Sequence, residues 1–158
     1  TDRSRYYVGE LNGKSSKQAY MDALHISESN IINQTFHNPL GKMNGQDICI
    51  ISLKEVSGNG LCCYRQVNDS DVLVLLEEQD YNEILDETLQ RIRRDFNHIS
   101  GVFSINCVFR YLLFSQEHHM EDYLKTMSTL GEHAGLIGFG EHYNQQFVNQ
   151  TMTCVVFE

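Results

Sequence analysis

Gly135-Leu-Ile-Gly-Phe-Gly140-Glu141, then Asn149-Gln-Thr151 running into Met-Thr-Cys-Val-Val-Phe157, is the stretch from which this chain is best read. Two glycines five apart, Gly135 and Gly140, precede a lone acid, and a polar knot then feeds a terminal apolar run. Glycine is favoured where the backbone bends sharply or where another group approaches closely. A carboxylate held beside such a bend, as Glu141 would be after Gly140, is placed to accept hydrogen bonds from the protein or from a ligand. The flanks read as two closing strands, around Leu136 to His142 and Phe147 to Phe157.

Working outward from that end, Gly101 opens a strand from Val102 to Phe109. An amphipathic helix follows from about Glu117 to Leu130, with Met120, Tyr123, Leu124 and Met127 inward and Gly131 as its cap. Asp80 to Asn97 is the clearest helix. Tyr81, Ile84, Leu85, Leu89, Ile92 and Phe96 form its apolar stripe, and Arg91, Arg93 and Arg94 alternate with acids on its wet side.

Upstream, Arg5 to Glu10 reads as a strand closed by the turn Asn12-Gly13. Ser15 or Ser16 caps a helix to about Leu24, and Ser27 or Ser29 starts a short one toward Phe36 that Asn38-Pro39 stops. Asp47 to Leu53 alternates as a strand covered on both faces. Ser57-Gly-Asn-Gly60 turns it into a partner strand, Leu61 to Val67, followed by Val72 to Leu76. Adjacent strands with few crossover helices predict an α+β fold, a largely antiparallel β-sheet with helices packed on it. With no repeat, linker or low-complexity segment, residues 1–158 read as one domain.

Composition narrows the function. Twelve basic against 21 acidic residues give a formal charge of −9, which disfavours binding to a phosphate backbone. No apolar run approaches the ~20 residues of a membrane span. Five cysteines, an odd number scattered through apolar runs, fit buried thiols in a reducing interior, so the expected compartment is the cytoplasm. The chain begins at Thr1 and reads as a fragment of a longer protein.

The chemistry-bearing residues sit late. Cys107 and Arg110 fall at the end of the predicted central strand, where the guanidinium could bind a ligand carboxylate through paired hydrogen bonds or pair with an acid such as Glu141. Cys107 has no recognisable base or oxyanion set, so catalysis is not expected. His118 and Glu121 are three apart, but His-Glu-x-x-His and Cys-x-x-Cys are absent and no metal site is expected. Haem needs only one axial histidine, so a haem-linked sensor stays open although Cys-x-x-Cys-His is missing. Cys62 and Cys63, adjacent in a strand, should point one in and one out. Tyr6, Tyr7, Tyr64, Phe103, Phe109 and Phe139 read as mostly core.

Taken in order, several motifs resemble the C-terminal domain of the FIST family. They are Leu11-Asn-Gly-Lys14 with Ala19-Tyr20, Phe36-His-Asn-Pro-Leu-Gly41, Cys107-x-x-Arg110, Gly135 with Gly140-Glu141, and Asn149-x-Thr151. Two positions depart from the family pattern: Phe109 stands where glycine is common, and His142-Tyr143 where an aliphatic residue is usual. The resemblance implies a non-catalytic, small-molecule-sensing domain of a signal-transduction protein, with amino acids or related carboxylates as the proposed ligands. It also implies an N-terminal FIST half and an output signalling domain in the longer protein. The implied ligand contacts are Arg110 to a carboxylate, Glu141 to an ammonium group, and Asn149 or Thr151 as further polar partners, with Cys107 and Gly140 shaping the site. The alternative is a protein–protein interaction or scaffold module.

Overall fold

The computed structural model describes residues 1–2, 4, 6–45, 47–143 and 146–158. The chain divides into two compact units, Thr1–Glu77 and Glu78–Glu158. The fold is α+β, with mostly antiparallel sheets. No helix is long and apolar enough to cross a membrane.

In the first unit, β1 (Tyr7–Val8) precedes a hairpin of β2 (Glu10–Leu11) and β3 (Lys14–Ser15). Asn12 and Gly13 both take positive φ in its turn, as a tight primed hairpin requires. Helix α1 (Ser16–Leu24) starts where the Ser15 hydroxyl accepts from the Gln18 N–H at 3.3 Å. It ends on His25 in the left-handed region. A 3-10 turn at Glu28–Asn30 leads into α2 (Ile31–Gln34). Strands β4 (Leu40–Asn44), β5 (Asp47–Ile51), β6 (Leu53–Ser57), β7 (Gly60–Cys63) and β8 (Leu73–Leu75) follow. β4 lies between β5 and β8, and β7 between β1 and β6, every pair antiparallel. Val8, Tyr20, Ile31, Leu40, Ile51, Leu53 and Leu61 form the core.

The second unit opens with α3 (Tyr81–Asp95), whose Asp80 cap accepts from the Asn82 and Glu83 N–H groups at 2.9 and 3.2 Å. Arg93 and Arg94 occupy its last turn, where positive charge suits the helix dipole. Then come β9 (Gly101–Cys107), α4 (Val108–Gln116), α5 (Met120–Met127), a 3-10 turn at Ser128–Leu130, and β10 (Glu132–Gly138). β11 (Glu141–Tyr143) and β12 (Gln146–Val148) form a hairpin, and β13 (Met152–Phe157) closes the chain. β9 is central, with β10 parallel on one side and β13 antiparallel on the other. A parallel neighbour needs a crossover, and α4 with α5 supplies it.

Several expectations need correction. The strand expected to reach Phe109 stops at Cys107, and a helix begins at Val108, so Arg110 is helical. The sequence reading assigns no element between Pro39 and Asp47, where β4 forms the centre of its sheet. The strand expected from Leu136 to His142 runs instead from Glu132 to Gly138 and ends at the bend before Glu141. The partner strand ends at Cys63 rather than Val67. Cys62 and Cys63 are both buried, because both faces of β7 are covered. Tyr6, Tyr64, Phe103 and Phe139 are exposed, Phe139 at 89%, as are Ile84 and Leu124 in the expected helix stripes. The strand expected to begin at Arg5 is described from Tyr7; Arg5 lies outside the described residues.

Candidate functional site

β9 alternates two faces: Val102, Ser104 and Asn106 are buried, while Phe103 is exposed and Ile105 partly so. Two polar residues on an inward face need partners, since a buried polar group left alone costs roughly 1–3 kcal/mol. Ser104 Oγ lies 2.9 Å from His133 Nε2 and 3.5 Å from the Tyr123 hydroxyl. Tyr123 donates to Met152 Sδ at 3.1 Å. Asn106 Oδ1 accepts from Arg110 Nε at 3.0 Å. Burial raises the Tyr123 hydroxyl, against Ser104, the Arg110 charge and Asn106, and it lowers His133.

At the C-terminal end of β9 three segments meet. The Cys107 N–H donates to Thr151 O at 3.0 Å, tying β9 to the chain just before β13. Gly138 pairs with Cys107 across the parallel ladder, bringing Gly140 and Glu141 to the same end. The β11–β12 hairpin sets Glu141 opposite Val148, so Asn149 and Thr151 return beside it. Thr151 Oγ1 donates to Glu141 Oε2 at 2.6 Å. Gly140 takes φ +134, and a Cβ there would collide with the Phe147 ring, so the bend before Glu141 requires glycine. In sheets with parallel strands, the crevice beyond the strands' carboxyl ends is the usual place for a ligand.

The electrostatics of this end are unusual. Among the described residues, Glu141, 2% exposed, has no hydrogen-bond partner at Oε1, and Asn149, 7% exposed, has none at Oδ1. Burial pushes the Glu141 carboxyl up, against the opposing pull of Thr151, the Cys107 thiol and the Arg110 charge. Cys107 is fully buried, and burial likewise pushes its thiol up, although the N–H groups of Phe109, Gln150 and Thr151 favour the thiolate. A buried thiol raised in this way is a poor nucleophile.

Arg110 stands in the first turn of α4, where the helix dipole disfavours a cation. Its guanidinium packs 4.9 Å from the centre of the Phe114 ring and donates to Asn106. Burial lowers its pKa, opposed by Tyr123, Glu141 and Cys107. Among the described residues Arg110 forms no ion pair, so of the two alternatives the Arg110–Glu141 bridge is absent, and Thr151 holds Glu141.

All six residues singled out from sequence, Cys107, Arg110, Gly140, Glu141, Asn149 and Thr151, therefore gather around one strand end. Sequence reasoning missed Ser104, Asn106 and Phe114, and it placed Tyr123 inward without assigning it to the site. The signal was available for two of them, because polar residues recurring at every second position of an apolar strand mark one face. His118, weighed as a ligand with Glu121, lies outside α5 with positive φ and is exposed.

The family model described as FIST C domain matches residues 17–144. No curated protein and no solved structure matches the chain.

Proposed function

Since the chain belongs to the FIST C domain family, whose members are sensory domains of signalling proteins, we propose that the end of β9 reads a small zwitterionic ligand for an attached output domain. One observation carries this reading. Among the described residues, two buried acceptors, Glu141 Oε1 and Asn149 Oδ1, have no hydrogen-bond partner, and the guanidinium at the same strand end has no ion pair. Leaving such acceptors unmade is costly, and a ligand ammonium group would satisfy both. Arg110 offers its remaining N–H donors to a carboxylate, in the fork geometry that a lysine cannot supply. An amino acid or a related amino-carboxylate combines the two charges.

Each remaining residue has a part in this scheme. Thr151 fixes one Glu141 oxygen and leaves the other available. Asn106 and Phe114 orient the guanidinium. Gly140 permits the bend, and Cys107 fills the space behind it as a neutral thiol. No step of bond making is involved and no cofactor is required. Signalling follows from differential affinity: a ligand that favours one arrangement of the β11–β12 hairpin and α4 shifts the population presented to the output domain.

Thermal denaturation of the whole chain against amino acids, small carboxylates and haem tests the reading. A ligand that binds the folded state raises Tm with concentration. An amino acid should do so with wild type and fail with folded Arg110→Ala and Glu141→Gln. A shift from carboxylates alone, surviving Glu141→Gln, would remove the ammonium half of the assignment. A shift from haem alone would replace it with a haem-linked sensor. The interaction-module reading has its own support in Phe103, Leu136, Val155 and Phe157, exposed apolar side chains on the β10–β9–β13 sheet.

A further inference from the structure

The first unit carries an open groove of about 970 Å³ that the ligand reading does not use. One wall is Val8–Leu11; the other is β8, the edge strand of the β5–β4–β8 sheet. The Met43 N–H donates to Val72 O at 3.0 Å and the Leu76 N–H to Pro39 O at 2.9 Å. With Gly41 opposite Val74, the alternation of an antiparallel ladder assigns Val72, Val74 and Leu76 to β4. The peptide N–H and C=O groups of Leu73 and Leu75 therefore point away from β4, and among the described residues none has a partner.

An edge of this kind is a template for another strand. Its charges select which one. Glu10, Asp22, Asp69 and Asp71 line the groove against Lys14 and the Thr1 ammonium, which pairs with Asp69 at 2.8 Å, so the lining keeps an acidic excess with Glu10 on its rim. Asp71 is paired with Lys42 at 2.7 Å and Asp22 only loosely with Lys14 at 3.9 Å. A second copy of this chain, formally −9, would bring acid to acid. A compact small molecule would leave the spaced backbone groups of β8 unused.

We propose that this groove binds an extended peptide segment of a partner protein, which adds as a strand to β8 and carries apolar side chains between lysine or arginine residues. Main-chain hydrogen bonds to Leu73 and Leu75 supply affinity, and the apolar wall with its acidic rim supplies selectivity, the division of labour seen in strand addition generally. This inference stands apart from the ligand site, since every residue in it belongs to the first unit.

The test uses the full chain and two fluorescent pools of heptapeptides with β-branched and aromatic residues at alternate positions, one pool ending in lysines and the other in glutamates. Fluorescence anisotropy at low salt should show saturable binding of the lysine pool well below about 1 mM and at least about tenfold weaker binding of the glutamate pool. Leu75→Pro removes one outward N–H while leaving the bonds to β4, a substitution an edge strand tolerates. It should weaken binding by about threefold to tenfold, the worth of one hydrogen bond. N-methylation of alternate peptide bonds in the lysine pool should do the same with no change to the protein, and Glu10→Lys should weaken the lysine pool alone. The proposal is overturned if neither pool binds below about 1 mM, if both bind equally, or if N-methylation leaves affinity unchanged.

Discussion

In the first unit the buried Ser16 hydroxyl donates to Val8 O, and the buried Thr35 hydroxyl accepts the Leu53 N–H at 2.8 Å. In the second unit Glu141 Oε1, Asn149 Oδ1 and His119 Nε2 are all buried without hydrogen-bond partners among the described residues. The contrast separates two uses of a polar group in a protein interior. In one, the hydroxyl finishes the backbone's hydrogen bonding and locks an apolar core. In the other, the fold holds polar atoms out of water with no hydrogen-bond partner among the described residues. Buried groups of that kind gather where a protein binds something.

The largest expected effect breaks the first side of the contrast. Leu61 is fully buried in the core of the first unit. Leu61→Ala should cost about 2–5 kcal/mol, read from urea unfolding. A loss below about 1 kcal/mol would mean this core is loosely packed, and the contrast would fail on the side where it looks safest.

Paired glycines give the next effect. Gly13 and Gly140 both take positive φ, but only at Gly140 would a Cβ meet another group, the Phe147 ring. Gly13→Ala should cost only the strain of the backbone, about 1 kcal/mol. Gly140→Ala adds overpacking and should cost about 2–4 kcal/mol. Equal losses would show that Phe147 moves aside freely and that the bend before Glu141 is not held.

Glu141→Gln addresses the orphan oxygen itself. Burial raises the folded pKa of Glu141 above its unfolded value, so the folded state holds the proton more tightly. Its stabilising contribution is then fully present below the unfolded pKa and is lost as pH rises through the folded one. Melting points measured from acid to neutral pH should fall in wild type relative to Glu141→Gln, with the gap opening above the ordinary glutamate range. Parallel curves would mean the carboxylate is already satisfied, and the ligand assignment would lose its main support.

These differences also explain what the sequence could disclose. The glycine bend, the acid after it and the Asn149-x-Thr151 knot were legible because positive φ and close approach narrow the choice of residues. Helix α4 was not, because Val108-Phe-Arg-Tyr-Leu-Leu-Phe114 continues the apolar run of β9 without punctuation. Its N-cap, Cys107, is not among the residue types that usually cap a helix, and no local signal marks the change of period. β4 was obscured for the opposite reason. Pro39, Gly41, Asn44 and Gly45 look like a turn, yet Gly41 sits in a strand where a Cβ would come within 2.8 Å of Ile48 Cγ2. Ser104 and Asn106 were missed, and Tyr123 was not assigned to the site, because their importance lies in contacts between a strand and helices that no single segment contains.

Arg110→Ala is expected to change stability least, and for that reason it divides the two readings of the second unit most sharply. Among the described residues the guanidinium has one hydrogen bond, to Asn106, and one ring contact, with Phe114. Against these stand the desolvation that lowers its pKa and its place at the positive end of α4. Such opposed terms leave a net effect within about 1 kcal/mol on removal. A structural arginine would behave otherwise, since breaking a buried ion pair costs about 3–5 kcal/mol. Arg110→Lys keeps the charge and loses the fork, so a binding role predicts near-native stability for both variants and a ligand-induced Tm shift for neither. If Arg110→Ala instead unfolds the chain while Arg110→Lys is tolerated, the residue serves packing and charge in the fold, and the buried acceptors of Glu141 and Asn149 must find their donors elsewhere.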